Sequence, residues 1–325
     1  MTNKIKKLIA YIGAKYYLKK SEQQEFIETR YYSFKSIYDI ILNQFFYLFK
    51  SNYCPKITSI QFEVTNSCNL KCKMCPVNNG MKRKKGFINF NLFKKILDEN
   101  PKVEFGLFFN WGEPLLHPKI LEMLTYAKFK GIKTFITTNI TLLDSEEKMK
   151  KFLECDLERI TISLDGFEDS YTKIRGYDYN IVEKRIKDLI RLRNELGLRT
   201  KIDINMVIMP ETEKYVPEFH KKWSEVVDRI QIQPNISFTP RKRKARCKEF
   251  WRGNVIILWD GKVVPCCVDY EGEMILGNAN IEKLSKIWNS NKAKQYRKMH
   301  NKKQFPKVCQ NCNEYLTEYV SPRFE

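Results

Sequence analysis

Residues 68–75 read Cys68-Asn-Leu-Lys-Cys72-Lys-Met-Cys75, which spaces three cysteines as C-x3-C-x2-C. This cysteine loop follows 57–65, a run rich in β-branched residues that predicts a strand. Three thiolates so close together on a loop predict a metal site. A structural zinc ion is bound by four protein ligands, whereas three cysteines can hold a four-iron cluster and leave one iron open. Thiolates are the usual ligands of such clusters, so the spacing favours a cluster over zinc or three unrelated thiols.

Composition limits the class of protein. The 325 residues are enough for a large catalytic domain and a small second one. Ten cysteines without a secretory signal indicate metal ligands in a reducing cytoplasm rather than disulfides. No apolar run is long enough to cross a membrane. The net charge of +20 favours anionic partners, such as nucleic acid, an anionic substrate, an acidic protein or anionic lipid, or else reflects a solvated lysine-rich surface.

Residues 1–56 predict a helical extension, because apolar residues recur at helical spacing. We expect it to pack against the main domain or to dock a partner. Its aromatic face and flanking lysines leave contact with a membrane surface as an alternative. The apolar positions are Ile37, Ile41, Leu42, Phe45, Phe46 and Phe49.

Residues 57–238 alternate between strand-like and helix-like segments. Six such repeats predict an α/β fold, a partial (βα)6 barrel with parallel strands and right-handed crossovers. In barrels of this kind the chemistry lies at the carboxyl ends of the strands. The predicted strands are 57–65, 103–110, 133–139, 159–165, 201–209 and 229–233, and the predicted helices are 91–99, 119–130, 146–154, 181–196 and 218–227.

Residues 239–325 predict a small second domain. Residues 255–264 predict a hairpin turning at Asp260-Gly261, and a helix-like segment follows over 281–300. Five cysteines lie here, two of them adjacent, and four of their thiolates can ligate a second four-iron cluster or a structural zinc ion. They are Cys247, either Cys266 or Cys267, Cys309 and Cys312.

The C-x3-C-x2-C spacing resembles the signature of the radical S-adenosylmethionine (SAM) enzymes, whose open iron chelates the amino and carboxylate groups of SAM. The resemblance implies that Cys68, Cys72 and Cys75 hold that catalytic cluster. The run Trp111-Gly112-Glu113-Pro114 resembles the GGE motif of the family, with Trp111 in place of the first glycine. It implies that Gly112 and Glu113 hold the SAM amino group.

Further residues correspond to SAM contacts in the resembled family. Ser163 and Arg175 are separated as a SAM-binding serine and arginine are there, and a guanidinium suits the SAM carboxylate. Asn139 either contacts the ribose or caps a turn. The carboxyl-terminal set resembles a SPASM or twitch domain with one auxiliary cluster. That resemblance favours Cys266 over Cys267 as a ligand, together with Cys247, Cys309 and Cys312.

The resemblance implies a radical SAM oxidoreductase. It would cleave SAM reductively to a 5′-deoxyadenosyl radical, take hydrogen from a sugar-like or alcohol-like substrate, and pass an electron to the auxiliary cluster. A reductant such as flavodoxin or ferredoxin would supply the catalytic cluster. A ribosomal-peptide maturase and a redox-neutral epimerase are alternatives. From another class, basic charge and C-x2-C pairs suggest a non-catalytic iron–sulfur or zinc nucleic-acid-binding protein, which would need neither the β-α repeats nor the Gly-Glu-Pro loop.

Overall fold

A nine-stranded sheet is the framework of the computed structural model, which describes residues 31–234, 243–310 and 312. Strands β1 to β6 are parallel and follow chain order, as the six repeats predict. They are β1 (Ser59–Phe62), β2 (Phe105–Phe108), β3 (Lys133–Thr138), β4 (Arg159–Ser163), β5 (Lys201–Ile208) and β6 (Arg229–Pro234). The predicted α/β fold with a partial barrel is therefore confirmed.

Helices connect these strands and begin and end where the sequence supplies caps. The side chains of Asn89, Ser145 and Asp178 accept hydrogen bonds from first-turn N–H groups. Gly131 and Gly197 follow helix ends with φ of +73° and +63°, which glycine adopts without strain. In chain order the helices are α1 (Phe34–Leu48), α2 (Phe90–Glu99), α3 (Ile120–Phe129), α4 (Glu146–Leu153), α5 (Asp169–Arg175), α6 (Tyr179–Glu195) and α7 (Val216–Trp223).

The two faces of the sheet differ in chemistry because side chains alternate along each strand. Ile60, Ile136, Ile162 and Ile204 are fully buried in the main core that the helices cover. The opposite face, called here the cavity face, carries polar side chains on β4 to β6. Ser163 pairs in register with Asn205, and Asn205 pairs with Gln231. The barrel thus has an apolar outer layer and a polar interior on this side.

The carboxyl-terminal hairpin joins the same sheet. Strand β7 (Asn254–Ile257) pairs in parallel with β1 and antiparallel with β8 (Lys262–Val264), which pairs with β9 (Gly277–Asn278). The turn at Asp260-Gly261 is confirmed. The helix-like segment predicted over 281–300 consists of two helices, because the Ser290 side chain caps a new one. The helices of this region are α8 (Glu249–Arg252), α9 (Leu284–Ile287), α10 (Asn291–Asn301) and α11 (Lys307–Gln310).

Helix α1 buries its polar face. Asn43 is 1% exposed and makes two hydrogen bonds to the backbone of Lys56, from Nδ2 to the carbonyl at 3.0 Å and from the amide to Oδ1 at 3.1 Å. Phe45 and Phe49 are instead 53% and 69% exposed. The predicted helix and its packing against the main domain are confirmed from Phe34 onward, whereas residues 1–30 lie outside the described residues. No helix in 31–234 or 243–310 is long and apolar enough to cross a membrane.

This packing predicts opposite effects for two substitutions on α1. Asn43→Ala leaves the buried Lys56 amide and carbonyl unsatisfied and should lower the free energy of unfolding by about 1–3 kcal/mol. Phe45→Gln, the matched control, should change it by less than about 0.5 kcal/mol. Urea unfolding of both variants is the measurement. A larger loss for Phe45→Gln would mean that the apolar face is the packed one.

Candidate active site

A cavity of about 270 Å³ opens where the parallel strands end. It brings together the cysteine loop, the loops that follow β2 and β3, and the cavity face of β4 to β6. All eight residues expected at the catalytic cluster and SAM line it, namely Cys68, Cys72, Cys75, Gly112, Glu113, Asn139, Ser163 and Arg175. Their chemical roles stay predictions, but the fold places them around one space.

Hydrogen bonds to its backbone hold the cysteine loop in shape. Asn79 Nδ2 donates to the carbonyls of Cys72 and Cys75 at 3.0 and 3.1 Å, and the Lys73 amide donates to Ile174 at the end of α5. Burial raises the pKa of all three thiols, that of Cys75 to about 11. Metal ligation requires thiolates, so loading the site must release protons.

Gly112 allows the β2 loop to approach the cysteine loop. Its φ is +96°, and a Cβ at this position would lie 2.4 Å from the Thr65 carbonyl oxygen. The adjacent Glu113 amide donates to the Ser67 carbonyl at 2.8 Å. Trp111, which replaces a glycine of the resembled motif, lines the cavity and donates from Nε1 to the Cys267 carbonyl at 2.7 Å. The second glycine of the motif, Gly112, is therefore the one that the close approach of the β2 loop to the cysteine loop requires.

The Glu113 carboxylate joins the β2 and β3 loops. It is 2% exposed and accepts hydrogen bonds from Thr138 Oγ1 at 2.6 Å, the Asn139 amide at 2.7 Å and the Leu115 amide at 3.1 Å. Burial raises its pKa, and these bonds oppose that rise. Contact with the SAM amino group stays a prediction. The structure adds a second role, because the same carboxylate fixes the loop that carries Asn139.

Asn139 links the β3 loop to the cysteine loop. Its Nδ2 donates to Asn69 Oδ1 at 3.0 Å and lies 3.8 Å from Cys68 Sγ. Its Oδ1 accepts from the amide and hydroxyl of Thr141 at 2.9 and 2.6 Å. The capped turn foreseen as one alternative is therefore present, and the ribose contact stays untested.

Arg175 projects from the end of α5 into the cavity, where it pairs with Asp165. Nε and Nη2 donate to Asp165 Oδ2 at 3.0 and 2.5 Å, and Asp165 Oδ1 accepts from the Val207 amide at 2.7 Å. Burial disfavours the guanidinium charge, but the Asp165 carboxylate outweighs it and raises the pKa of Arg175. Nη1 bonds to no residue in the described chain, so it remains able to meet a ligand carboxylate.

Sequence reasoning missed the polar residues of the cavity face. Thr137, Asn205 and Gln233 line the cavity with Ser163. Their side chains make no hydrogen bond to any residue that the structure describes, and Asn205 Oδ1 is fully buried. Alternating polar residues in the predicted strand 201–209 were the available signal, since Asp203 and Asn205 lie two residues apart.

The carboxyl-terminal cysteines form a second buried group. Cys247, Cys309 and Cys312 are at most 9% exposed, whereas Cys267 is exposed and Cys266 lies partly buried. Burial raises the pKa of Cys247 to about 11 and that of Cys309 to about 12. The pKa of Cys266 is raised by contact with Cys267 and by burial, with Cys247 acting in the same direction. Cys266 stays the predicted fourth member of this group. Cys247, Cys266, Cys309 and Cys312 are called here the auxiliary cysteines.

The described residues form no compact site for a single metal ion. No three Cys, His, Asp or Glu side chains among them converge closely enough to hold one. Cluster ligation by the two cysteine groups stays a prediction of the cysteine spacing, since thiolates are the usual ligands of iron–sulfur clusters.

Comparison with known families agrees with this geometry. Residues 62–222 match the radical SAM superfamily, and residues 247–313 match the SPASM iron–sulfur cluster-binding domain. The chain belongs to the radical SAM superfamily and carries a SPASM-type domain. Its cofactors are accordingly a four-iron cluster with SAM and iron–sulfur chemistry in the SPASM domain. The prediction of an enzyme is confirmed over the non-catalytic alternative.

Individual relatives are distant. The cofactor-modifying protein for tungsten-containing aldehyde ferredoxin oxidoreductase of Pyrococcus furiosus is 26% identical over 251 residues, which cover 64% of this chain and 70% of that protein. The SAM-dependent 2-deoxy-scyllo-inosamine dehydrogenase of Niallia circulans is 23% identical over 269 residues, covering 78% and 92%. Streptococcus suis SuiB bound to SAM shares the fold with a TM-score of 0.60, at 16% identity over 86% of this chain and 78% of that one.

Replacing the three loop cysteines tests the cluster assignment. The triple Cys68→Ala, Cys72→Ala, Cys75→Ala variant should lose about half of roughly eight irons per chain and all SAM cleavage, because only the auxiliary cysteines remain to hold a cluster. Iron and sulfide analysis of anaerobically reconstituted protein is the measurement. The control, Cys155→Ala, removes a buried thiol outside both groups and should keep the full iron content. Full iron in the triple variant would contradict the assignment.

Proposed function

We propose that this protein oxidises a hydroxyl group of a sugar-like or cyclitol-like small molecule. When bound, SAM and the two clusters supply a hydrogen-abstracting 5′-deoxyadenosyl radical and an acceptor for one electron. The residues of the chain bind and orient SAM and substrate, and they bring the substrate close to both cysteine groups. Similarity to a dehydrogenase that acts on 2-deoxy-scyllo-inosamine supports this substrate class.

The observation that carries the proposal is that the SPASM-type domain contributes a residue to the cavity lining. Val268, two residues after Cys266, lines the same space as Cys75. The Trp111 bond to Cys267 and a Trp111–Tyr270 ring contact at 5.8 Å fix this approach. A substrate in the cavity would therefore lie near the cysteine loop and near the segment that follows Cys266. Such a position suits transfer of an electron to the auxiliary cluster after hydrogen has been removed.

A buried ion pair supports the same approach. Glu63, at the end of β1, is fully buried and accepts from Arg83 Nη2 at 2.6 Å and Nη1 at 3.0 Å. Arg83 Nε also donates to the Tyr270 carbonyl at 2.5 Å. Burial raises the pKa of Glu63, which Arg83 opposes. The barrel and the segment after Cys266 are thus joined through Arg83, which bonds to both.

The cavity face favours a neutral substrate rich in hydroxyl groups. Thr137, Asn205 and Gln233 offer a hydroxyl and two amides, which donate and accept hydrogen bonds. The buried Asn205 Oδ1 costs about 1–3 kcal/mol if it stays unsatisfied. Arg175 brings a positive charge to this lining, but it is paired with Asp165. The cavity would therefore attract an anionic substrate only weakly.

We assign SAM to the side of the cavity nearest the cysteine loop. Arg175 Nη1 would bind its carboxylate, the backbone at Gly112 and Glu113 its amino group, and Ser163 with Asn139 the ribose. These contacts follow the resembled motifs and use groups that line the cavity.

Partners and location extend the proposal. The net charge of +20 would attract an acidic reductant such as flavodoxin or ferredoxin. Exposed Phe34, Phe45, Leu48 and Phe49 on α1 suit contact with a membrane surface.

A cytoplasmic location agrees with cysteines that must stay reduced. The proposed division of the chain is a helical extension over 1–56, the barrel domain over 57–238 and the carboxyl-terminal domain over 239–325.

Product analysis tests the oxidation. Anaerobic reaction with SAM, dithionite and a panel of deuterated cyclitols and sugars should give deuterated 5′-deoxyadenosine and a ketone two hydrogens lighter than its alcohol. Cys309→Ala with Cys312→Ala should keep 5′-deoxyadenosine formation and lose most of the ketone. A wild-type product at the oxidation state of its substrate would favour an epimerase, and turnover of only a peptide would favour a maturase.

A paired substitution tests the SAM assignment. Arg175→Met combined with Asp165→Asn removes both charges, so no carboxylate is left buried and unpaired. SAM affinity should fall by about ten- to a hundred-fold, the loss of one charged hydrogen bond, with iron content unchanged. Isothermal titration of the clustered protein measures it, with Asp165→Asn alone as the control. Equal affinity in wild type and the double variant would overturn this role.

A further inference from the structure

A buried cation lies among the auxiliary cysteines. Arg243 is 4% exposed. Its amide donates to the Gln310 carbonyl at 2.8 Å, and its Nε donates to the Cys309 carbonyl at 3.0 Å. These bonds attach Arg243 to the segment that carries Cys309 and Cys312. The guanidinium is therefore held beside the ligands by the backbone of the same loop.

Arg243 lies between the two segments that carry the auxiliary cysteines. Its Nη1 donates to the Ala245 carbonyl at 3.3 Å, two residues before Cys247, while its Nε donates to the Cys309 carbonyl. A charge taken out of water is costly unless an opposite charge lies nearby. Four thiolates and their cluster supply such negative charge, so the residues present fit an anionic centre at this place.

A fixed cation beside a cluster affects its electron affinity. Reduction adds one negative charge to the site, and a buried guanidinium stabilises that charge more than it stabilises the oxidised form. Net charge and hydrogen bonding around the sulfurs are established determinants of cluster potentials. Arg243 should therefore make the auxiliary cluster easier to reduce.

We propose that Arg243 raises the reduction potential of the auxiliary cluster and so prepares it to accept the substrate's electron. The role as acceptor rests on the proposed function, whereas the effect on the potential does not. In the oxidation, the carbon-bound hydrogen atom goes to the deoxyadenosyl radical, the hydroxyl proton to solvent, and one electron to this cluster. Arg243 forms and breaks no bond and acts by its charge.

Arg246 provides a matched control only three residues away. Its guanidinium lies 3.8 Å above the Tyr47 ring and donates to Asn301 Oδ1 at 2.9 Å and to the Tyr47 carbonyl at 2.7 Å. It thus points toward α1 and α10. Removing its charge changes the net charge of the protein as much as removing that of Arg243.

The test is an EPR-monitored redox titration of the full chain with all three loop cysteines replaced by alanine, so that only the auxiliary cluster gives a signal. Arg243→Gln should lower the potential by at least 59 mV, a tenfold change in the one-electron equilibrium. Arg243→Lys should keep most of the wild-type value, and Arg246→Gln should leave it unchanged. No substrate is present, so the result is independent of whether the chain oxidises an alcohol.

Three results would overturn the proposal. They are an unchanged potential in Arg243→Gln, equal shifts in Arg243→Gln and Arg243→Lys, and an Arg246→Gln shift as large as that of Arg243→Gln. If Arg243→Gln assembles no cluster, its potential cannot be measured, and the iron contents of Arg243→Gln and Arg243→Lys are compared instead. Assembly in Arg243→Lys alone would support a need for positive charge, whereas failure of both variants would show a need for the shape of arginine and contradict the charge effect.

Discussion

The buried carboxylate of Glu113 is the constraint on which the site depends. It accepts three hydrogen bonds and thereby fixes Thr138 and Asn139 against the β2 loop. Hydrogen bonds to a buried charge contribute roughly 1.5–3 kcal/mol each. Asn139 in turn donates to Asn69, next to Cys68, so the hydrogen bonds that begin at the Glu113 carboxylate also position the cysteine loop. Gly112 permits this approach because any Cβ would meet the Thr65 carbonyl.

Local sequence signals predicted the fold well. Strand composition and the alternation of strand-like with helix-like segments identified the six β-α repeats, and the positions of the cysteines identified both thiol groups. These features depend on neighbours in the chain. The gathering of Cys68, Glu113, Ser163 and Arg175 around one cavity follows from parallel strands ending at one edge, so it too was accessible from the order of elements.

Other features depend on contacts between distant segments. The apolar spacing in α1 suggested an apolar packed face, but the backbone at Lys56 selects Asn43 instead. Helix α5 is seven residues long and was missed, although it carries Arg175. The Asp165 partner of Arg175 and the place of Arg243 beside Cys309 arise only in the folded chain. Residues 241–246 form a basic run in the sequence, which shows charge there but not that Arg243 is buried.

The central claim is that this fold holds two separate iron–sulfur clusters on either side of one cavity. Anomalous diffraction from anaerobically grown crystals, collected on both sides of the iron edge and the zinc edge, tests it most directly. The account predicts iron signal at two places, one beside Cys68, Cys72 and Cys75 and one among the auxiliary cysteines. Zinc signal at the second place, or iron at one place only, would contradict it.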